Sequence, residues 1–426
     1  GTTALNLGTV GVGQNFEARS GGGITDTGVI TVAGTSLFHS DVAGQVITLD
    51  STNAMTGAVS ITHTGSANVE IDNGTTALNL GTVGVGQNFE ARSGGGITDT
   101  GVITVAGTSL FHSDVGGQVI TLDSANAMTG AVSITHTGAA DVAIDNGTTA
   151  LNLGTVGVGQ HFQATSGGVI SDSGVITVAG NATFVTDVND IDINLNSSNA
   201  ITGALTFTTQ TGGSNGADIT LNNGSTAISL ATFTTEGNLT LTTSNTAAFD
   251  VKAHTVNGDL AISTGGDITQ TGNLTVTGTS SFTSSGTDND ITLGETNVLT
   301  GAVSATTAGT TGNVTIDNGA TAINLGTVTA RGNLSVRGGN GITDSGVITV
   351  SGTSLFHSDV TAKAITLDST NAMTGAVSIT HTGSADVAID NGTTALNLGT
   401  VGVLSLIHIS EPTRPRLISY AVFCLK

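Results

Sequence analysis

Histidine and aspartate recur in this chain at fixed places. His39, His112 and His357 each stand in Phe-His-Ser-Asp, two residues before Asp41, Asp114 and Asp359, while His63, His136 and His381 each stand in Thr-His-Thr-Gly. A histidine beside a carboxylate is the pairing used for general acid–base work: the carboxylate fixes the ring tautomer and the imidazole exchanges a proton near neutral pH. A catalytic centre needs one convergent constellation, however, and these groups are spread along the chain with the period of a duplication. They read as exposed turn residues; no catalytic residue is assigned, and the chain is expected not to be an enzyme.

Other residue types invite metal or sugar chemistry. Asp26, Asp50 and Asp72 occupy similar places in successive segments, and such a column of carboxylates would suit Ca²⁺, although aspartate in turns is usually just solvated. Gly338-Gly339-Asn340-Gly341-Ile342-Thr343-Asp344 approaches the calcium-binding G-G-x-G-x-D nonapeptide, but its Asp comes one place late and the phrase does not repeat. Asn73, Asn146 and Asn391 open Asn-Gly-Thr, which satisfies the glycosylation sequon, yet Asn-Gly is foremost a turn former. No cofactor-binding or metal-ligating residue is assigned; Ca²⁺ is the one ion the pattern would accept.

The elements that carry these residues are copies of one unit. Gly1, Gly74, Gly147, Gly224, Gly319 and Gly392 each open a G-[TSA]-T-A-[LI]-[NS]-L segment, at spacings of 73, 73, 77, 95 and 73. The repeats run over 1–73, 74–146, 147–223, 224–318 and 319–391, with a partial copy at 392–403. Short alternating runs such as Val29-Ile30-Thr31-Val32 and Ala58-Val59-Ser60-Ile61 lie between Gly, Asn and Asp turns, and no segment carries a helical period. Strand openings at Ile24, Ile47, Val69 and Ile97 are separated by 23, 22 and 28 residues, each step a candidate coil. The fold expected is all-β: a single parallel, right-handed β-helix solenoid over 1–403 with about three coils per 73-residue repeat.

Length variants and aromatic spacing point the same way. The fourth repeat exceeds 73 by 22 residues, the size of one coil, with the surplus placed between Ile219 and Ile268; the third exceeds it by four, placed in the loop at 211–216. Phe16 to Phe38 and Phe89 to Phe111 are 22 apart, and Phe162, Phe184 and Phe207 step by 22 and 23. Rings one coil apart meet at stacking distance inside the tube.

Residues 404–426 break the pattern. They hold both prolines (Pro412, Pro415), the only Cys (Cys424) and the only Tyr (Tyr420), and resemble the translation of a sequencing-library adapter, so they are expected to be non-native. Setting aside three tail cations and one anion moves the net charge from −22 to −24 and leaves six scattered cations: Arg19, Arg92, Lys252, Arg331, Arg337 and Lys363. Such a chain has no basic patch for phosphates or anionic lipid, so neither nucleic acid nor membrane insertion by this segment is expected. The absence of cysteine elsewhere suits a chain threaded unfolded across an outer membrane.

Phrases such as Gly266-Asp267-Ile268-Thr269-Gln270-Thr271-Gly272-Asn273-Leu274-Thr275-Val276-Thr277-Gly278-Thr279 and Asn289-Asp290-Ile291-Thr292-Leu293 resemble large bacterial exoproteins of the filamentous haemagglutinin and autotransporter-passenger type. The resemblance covers Gly1 to Val403. It implies a right-handed parallel β-helix, export by two-partner or autotransporter secretion through an outer-membrane transporter, and an extracellular or outer-membrane surface location. The expected work is that of a structural rod or stalk in cell adhesion, with a receptor or glycan on a host or neighbouring cell as partner. Two alternatives stand beside it: an ice- or glycan-binding β-helix, hinted at by Thr240-Leu241-Thr242 and Thr275-Val276-Thr277, and a polysaccharide-degrading β-helix enzyme.

Overall fold

A computed structural model describes residues 3–63, 65–136, 138–210, 212, 216–402 and the backbone of 407–410. Among the described residues every regular element is a β-strand, and every strand pairing is parallel. The chain divides into two compact units, Gly1–Gly278 and Thr279–Lys426. Each is a parallel β-solenoid, as the repeat pattern leads one to expect.

The first coils show how the sequence builds it. β1 (Leu5–Leu7), β2 (Val10–Val12) and β3 (Phe16–Ser20) form one turn, and β4 (Ile24–Asp26), β5 (Ile30–Val32) and β6 (Ser36–Ser40) stack on them, β1 on β4, β2 on β5 and β3 on β6. The third turn, β7 (Ile47–Leu49), β8 (Ala54–Met55) and β9 (Val59–His63), stacks in the same order. Alternation decides facing: Ile30 and Val32 are fully buried while Thr31 between them is exposed. Val29, one residue before the strand, is 38 % exposed. At ~25 cal/mol per Å² of apolar surface, each inward Ile or Val contributes roughly 1.5–3 kcal/mol, which offsets the ordering of its strand.

The repeat holds three complete coils and then a part of a fourth. β10 (Val69–Asp72) stacks on β7, but the next strand in that column is β12 (Phe89–Ser93), not the segment at Ile97. The intervening β11 (Leu78–Val85) crosses to the other column, where Leu80 pairs with Val59 and Val83 with Ile61 across a register shift. The expected stacking of Ile97 above Val69 is thus corrected. Ile97 pairs with Leu78, because the stretch from Val69 to Ala77 supplies one strand and a turn, too little to complete a coil. The same crossing recurs at Leu151–Val158 in the first unit and at Ile323–Ala330 and Asn397–Gly402 in the second.

The aromatic column forms as spaced. Phe16–Phe38, Phe89–Phe111 and Phe162–Phe184 each lie 5.8 Å between centroids in edge-on contact, since Phe16, Phe89 and Phe162 pair in register with Ser36, Ser109 and Ala182 and meet the next ring on the diagonal. Phe184 and Phe207 are direct register partners, and these two stack at 18°. The surplus of the fourth repeat supplies strands as expected: Leu239–Thr242 and Leu260–Thr264 lie in successive coils of the first unit, with Phe249–Val251 on a neighbouring sheet. The four-residue surplus of the third repeat falls at 211–216, largely outside the described residues. In the tail, Ile407–Ser410 pairs with Val387–Asp390. Ile407 follows Gly392 at the distance at which Phe16 follows Gly1.

Candidate functional site

The Phe-His-Ser-Asp histidines do meet their aspartates. Nε2 of His39 lies 2.8 Å from Asp41, that of His112 2.6 Å from Asp114, and that of His357 2.7 Å from Asp359. The other ring nitrogen of each reaches the hydroxyl of a threonine one coil further on: Nδ1 of His39 is 2.7 Å from Thr62, and those of His112 and His357 are 2.6 Å from Thr135 and Thr380. Each copy is a hydroxyl–imidazole–carboxylate line. Parallel register places the threonine: Arg19 pairs with His39 and His39 with Thr62, so the three outward side chains form one row across the coils.

The arginine in that row escaped the sequence reading. Arg19, Arg92 and Arg337 each precede their histidine by 20 residues, a constant spacing that marks the row. Arg19 pairs with Glu17 at 2.8 Å and Arg92 with Glu90 at 2.7 Å; Arg337 reaches Asp359 at 2.6 Å and Asp317 at 3.0 Å. Partial burial pushes the Asp359 carboxyl up, and the hydrogen bonds from Arg337 and His357 outweigh it, leaving the group below the ordinary aspartate range. Glu70, beside this row in the first unit, is raised by burial and by the like charges of Glu90 and Asp50.

Chemically, such a line can share a proton, but it lies on an open strand face. Two surface grooves are formed by other residues. One of about 290 Å³ is lined by Thr232–Thr234, Ala253–Thr255 and Asn273; one of about 420 Å³ is lined by Thr310, Thr311, Asn313, Arg331 and neighbours. Neither holds a His–Asp pair. Two of the Thr-His-Thr-Gly histidines serve the coil turns: Nε2 of His63 and of His136 accepts the N–H of Gly86 and of Gly159 at 3.3 Å.

The aspartate column divides. Asp26 is 6 % exposed, and its carboxylate accepts the Ser51 N–H at 3.2 Å and the Asn53 side-chain amide at 2.7 Å. Asn53 in turn accepts the Ile30 N–H at 2.8 Å. The same lattice recurs at Asp99–Asn126, Asp172–Asn199 and Asp344–Asn371. Asp50 is exposed, and Asp72 accepts the Gly74 N–H at 2.7 Å. Asp344, the aspartate of the near-nonapeptide, is committed to the Asp368 and Ser369 N–H groups and to Asn371. Among the described residues no three His, Cys, Asp or Glu side chains converge in a way that could hold a metal ion.

The sequon asparagines are buried. Asn73 and Asn146 are fully buried and Asn391 is 4 % exposed, with each side-chain amide engaged by backbone groups, so in the folded chain they are structural. His254 is the core histidine: 4 % exposed, its ring centroid 4.9 Å from that of Phe233, and without a well-aligned hydrogen bond at either nitrogen. Burial lowers its pKa; the Phe233 carbonyl acts the other way, Lys252 adds to the lowering and Asp250 opposes it.

These features define a repeat solenoid whose polar side chains chiefly hold one coil to the next. Five stretches, 1–62, 66–135, 139–208, 236–306 and 311–380, match the family described as Repeats of unknown function (DUF5649), and the chain belongs to that family. No curated protein and no solved structure matches it.

Proposed function

We propose that this chain is a length-setting structural segment: the rod or stalk of a secreted or surface-exposed bacterial exoprotein of the adhesin type, acting without catalysis. The observation that carries the reading is the treatment of repeat boundaries. Strand pairing runs through them without a linker, as where Val69 pairs with Phe89 and Val59 with Leu80, so adding a repeat adds coils. The surplus of 22 residues in the fourth repeat is likewise absorbed as strand. Its partners would be a receptor or glycan on another cell and an outer-membrane transporter during export; the carboxylate-rich surface leaves room for Ca²⁺ at exposed aspartates such as Asp50. Small-angle scattering of chains carrying two, three and four 73-residue repeats tests the mechanical part. Each added repeat should lengthen the particle by roughly 17 Å, at ~4.8 Å per coil. A radius of gyration growing as for a compact globule would refute it. Binding of the labelled chain to a glycan array and to intact cells tests the adhesive part, and no retention on either would remove it.

A second reading draws on one rank of hydroxyls. Thr234, Thr255 and Thr275 are in register on one outward face of the first unit, the arrangement an ice-binding surface would use. In the first two repeats the corresponding ranks run Gly11, Thr31, Ala54 and Gly84, Thr104, Ala127, which breaks the array. A thermal-hysteresis measurement separates the two readings: activity would favour ice binding over the stalk.

A further inference from the structure

We infer that the asparagine at each repeat boundary is the turning device of this protein. Its side-chain amide stands in for a strand, lets the chain advance by part of a coil, and so puts successive copies of the Arg–His–Asp row on different sides of the solenoid. In the first unit, β3 and β6 carry Arg19 and His39 on one sheet. The second copy, with Arg92 and His112, lies on the sheet that β1, β4, β7 and β10 began. The equivalent strand of the third repeat, where Thr165 replaces the arginine and Val185 the histidine, returns: Phe162–Ser166 continues the column of Val142–Asp145, Ile120–Leu122 and Ile97–Asp99 that stands above β9.

The geometry shows why asparagine is needed. After β10 the chain runs straight to the other side, so no strand is laid over β8, whose Met55 is fully buried. Asn73 fills the place: its Oδ1 accepts the Met55 N–H at 2.8 Å and its Nδ2 donates to the Met55 carbonyl at 2.9 Å. The remaining donor capacity goes to the carbonyls of Thr76 and Ala77, closing the turn into β11. Only a primary amide offers an acceptor and two donors on so short a stem; an ionised aspartate accepts without donating and alanine does neither. The arrangement recurs at every described boundary. Asn146 holds Met128, Asn223 holds Ile201, Asn318 holds Leu299 and Asn391 holds Met373, with acceptor distances of 2.8–2.9 Å. The glycine after each has positive φ, +54° to +56°; at Gly74 a Cβ would meet the Asn53 carbonyl oxygen at 2.9 Å.

Deleting Val69–Ala77 from the full chain removes the boundary strand and its asparagine and leaves a first repeat of three coils. Nitroxide labels at positions 37 and 110, equivalent outward sites of adjacent copies, report the outcome. In the native chain they lie on different sheets. In the deletion they should lie on one sheet, three coils apart, roughly 14 Å along the axis. An unchanged label distance in a folded deletion would overturn the inference. A point variant keeps it testable should the deletion not fold: with Asn73→Ala, amide exchange at Met55 should accelerate at least about tenfold, with Met128 in the next copy as an unchanged control. Asn73→Asp, which keeps the acceptor, should leave Met55 far better protected than Asn73→Ala. Equal Met55 protection in the native chain and Asn73→Ala would overturn the inference as well.

Discussion

Acid should loosen the first unit at one identifiable place. His254 occupies an inward position that the repeat gives elsewhere to aliphatic residues: its register partner one coil on is Leu274, fully buried, and Phe233 lies against its ring. Burial holds its folded-state pKa below the unfolded value of 6.5, against the opposing Phe233 carbonyl and Asp250 and with Lys252 adding to the effect. The sign follows: above pH 6.5 the ring is neutral in both states and costs nothing by titration, whereas below it the unfolded chain takes up a proton that the folded chain refuses. Stability therefore falls as pH drops through 6.5 and levels off once the folded-state pKa is passed. The ceiling on this loss is about 1.4 kcal/mol per pH unit, the linkage slope for one proton. Raised carboxyl groups such as Glu70 and Asp145 act in the opposite direction, gaining stability for the folded state as pH falls, so the histidine must be isolated by difference. Chemical denaturation from pH 8 to 4.5, with and without His254→Leu, isolates it. The native chain should lose stability relative to the variant only on the acid side, and hydrogen exchange at pH 5 should place the loosening at Thr232–Val256. Parallel pH profiles for the two proteins would refute the argument.

Three further outcomes follow from the same contacts. Phe184→Ala removes a ring packed between Phe162 and Phe207 and should cost about 3–5 kcal/mol, read as lost exchange protection in coils 162–207 before distant repeats respond. Asn126→Ala strips the Ile103 N–H of its acceptor and the buried Asp99 carboxylate of a donor; about 2–4 kcal/mol is expected, and a double-mutant cycle with Asp99→Asn should show strong coupling between the two. Gly147→Ala forces a Cβ onto a backbone at φ +54° and to 2.9 Å from the Asn126 carbonyl, and should destabilise by at least about 1 kcal/mol in urea titrations, whereas Gly157→Ala, which meets nothing within 4 Å, should not.

What was legible in the sequence is what a period records. Alternation at Ile30 and Val32, ring spacing at Phe162, Phe184 and Phe207, and the extra 22 residues of the fourth repeat all translate directly into inward faces, stacked rings and added strand. The His39–Asp41 pair was legible too, being two residues apart on one strand and its turn. Its partners were not. Thr62 and Arg19 join His39 through register, which depends on where each coil closes, and the described coil lengths run from 19 residues between Leu5 and Ile24 to 26 between Ile193 and Ile219. A mean period cannot fix a row of side chains when individual turns differ by that much.

The same variation explains why an identical sequence need not mean an identical side. A period in the chain reports how often a unit is copied; its angle about the axis depends on whether the copy holds a whole number of coils. Here it does not. The residue that makes the remainder tolerable, Asn73 and its equivalents, looks in the sequence like an ordinary Asn-Gly turn. Its burial at 0 % and its hold on Met55 are tertiary facts. Polar residues were therefore the least readable part of this molecule, and for one physical reason: in a tube with few aromatic and almost no cationic side chains, amides and carboxylates take over the pairing of backbone groups that strands leave open. Asp26 with Asn53, and Asn73 with Met55, are structural before they are anything else. The surface row Arg92–His112–Thr135 lies on a different sheet from Arg19–His39–Thr62, and the crossing at the Asn73 boundary lies between the two.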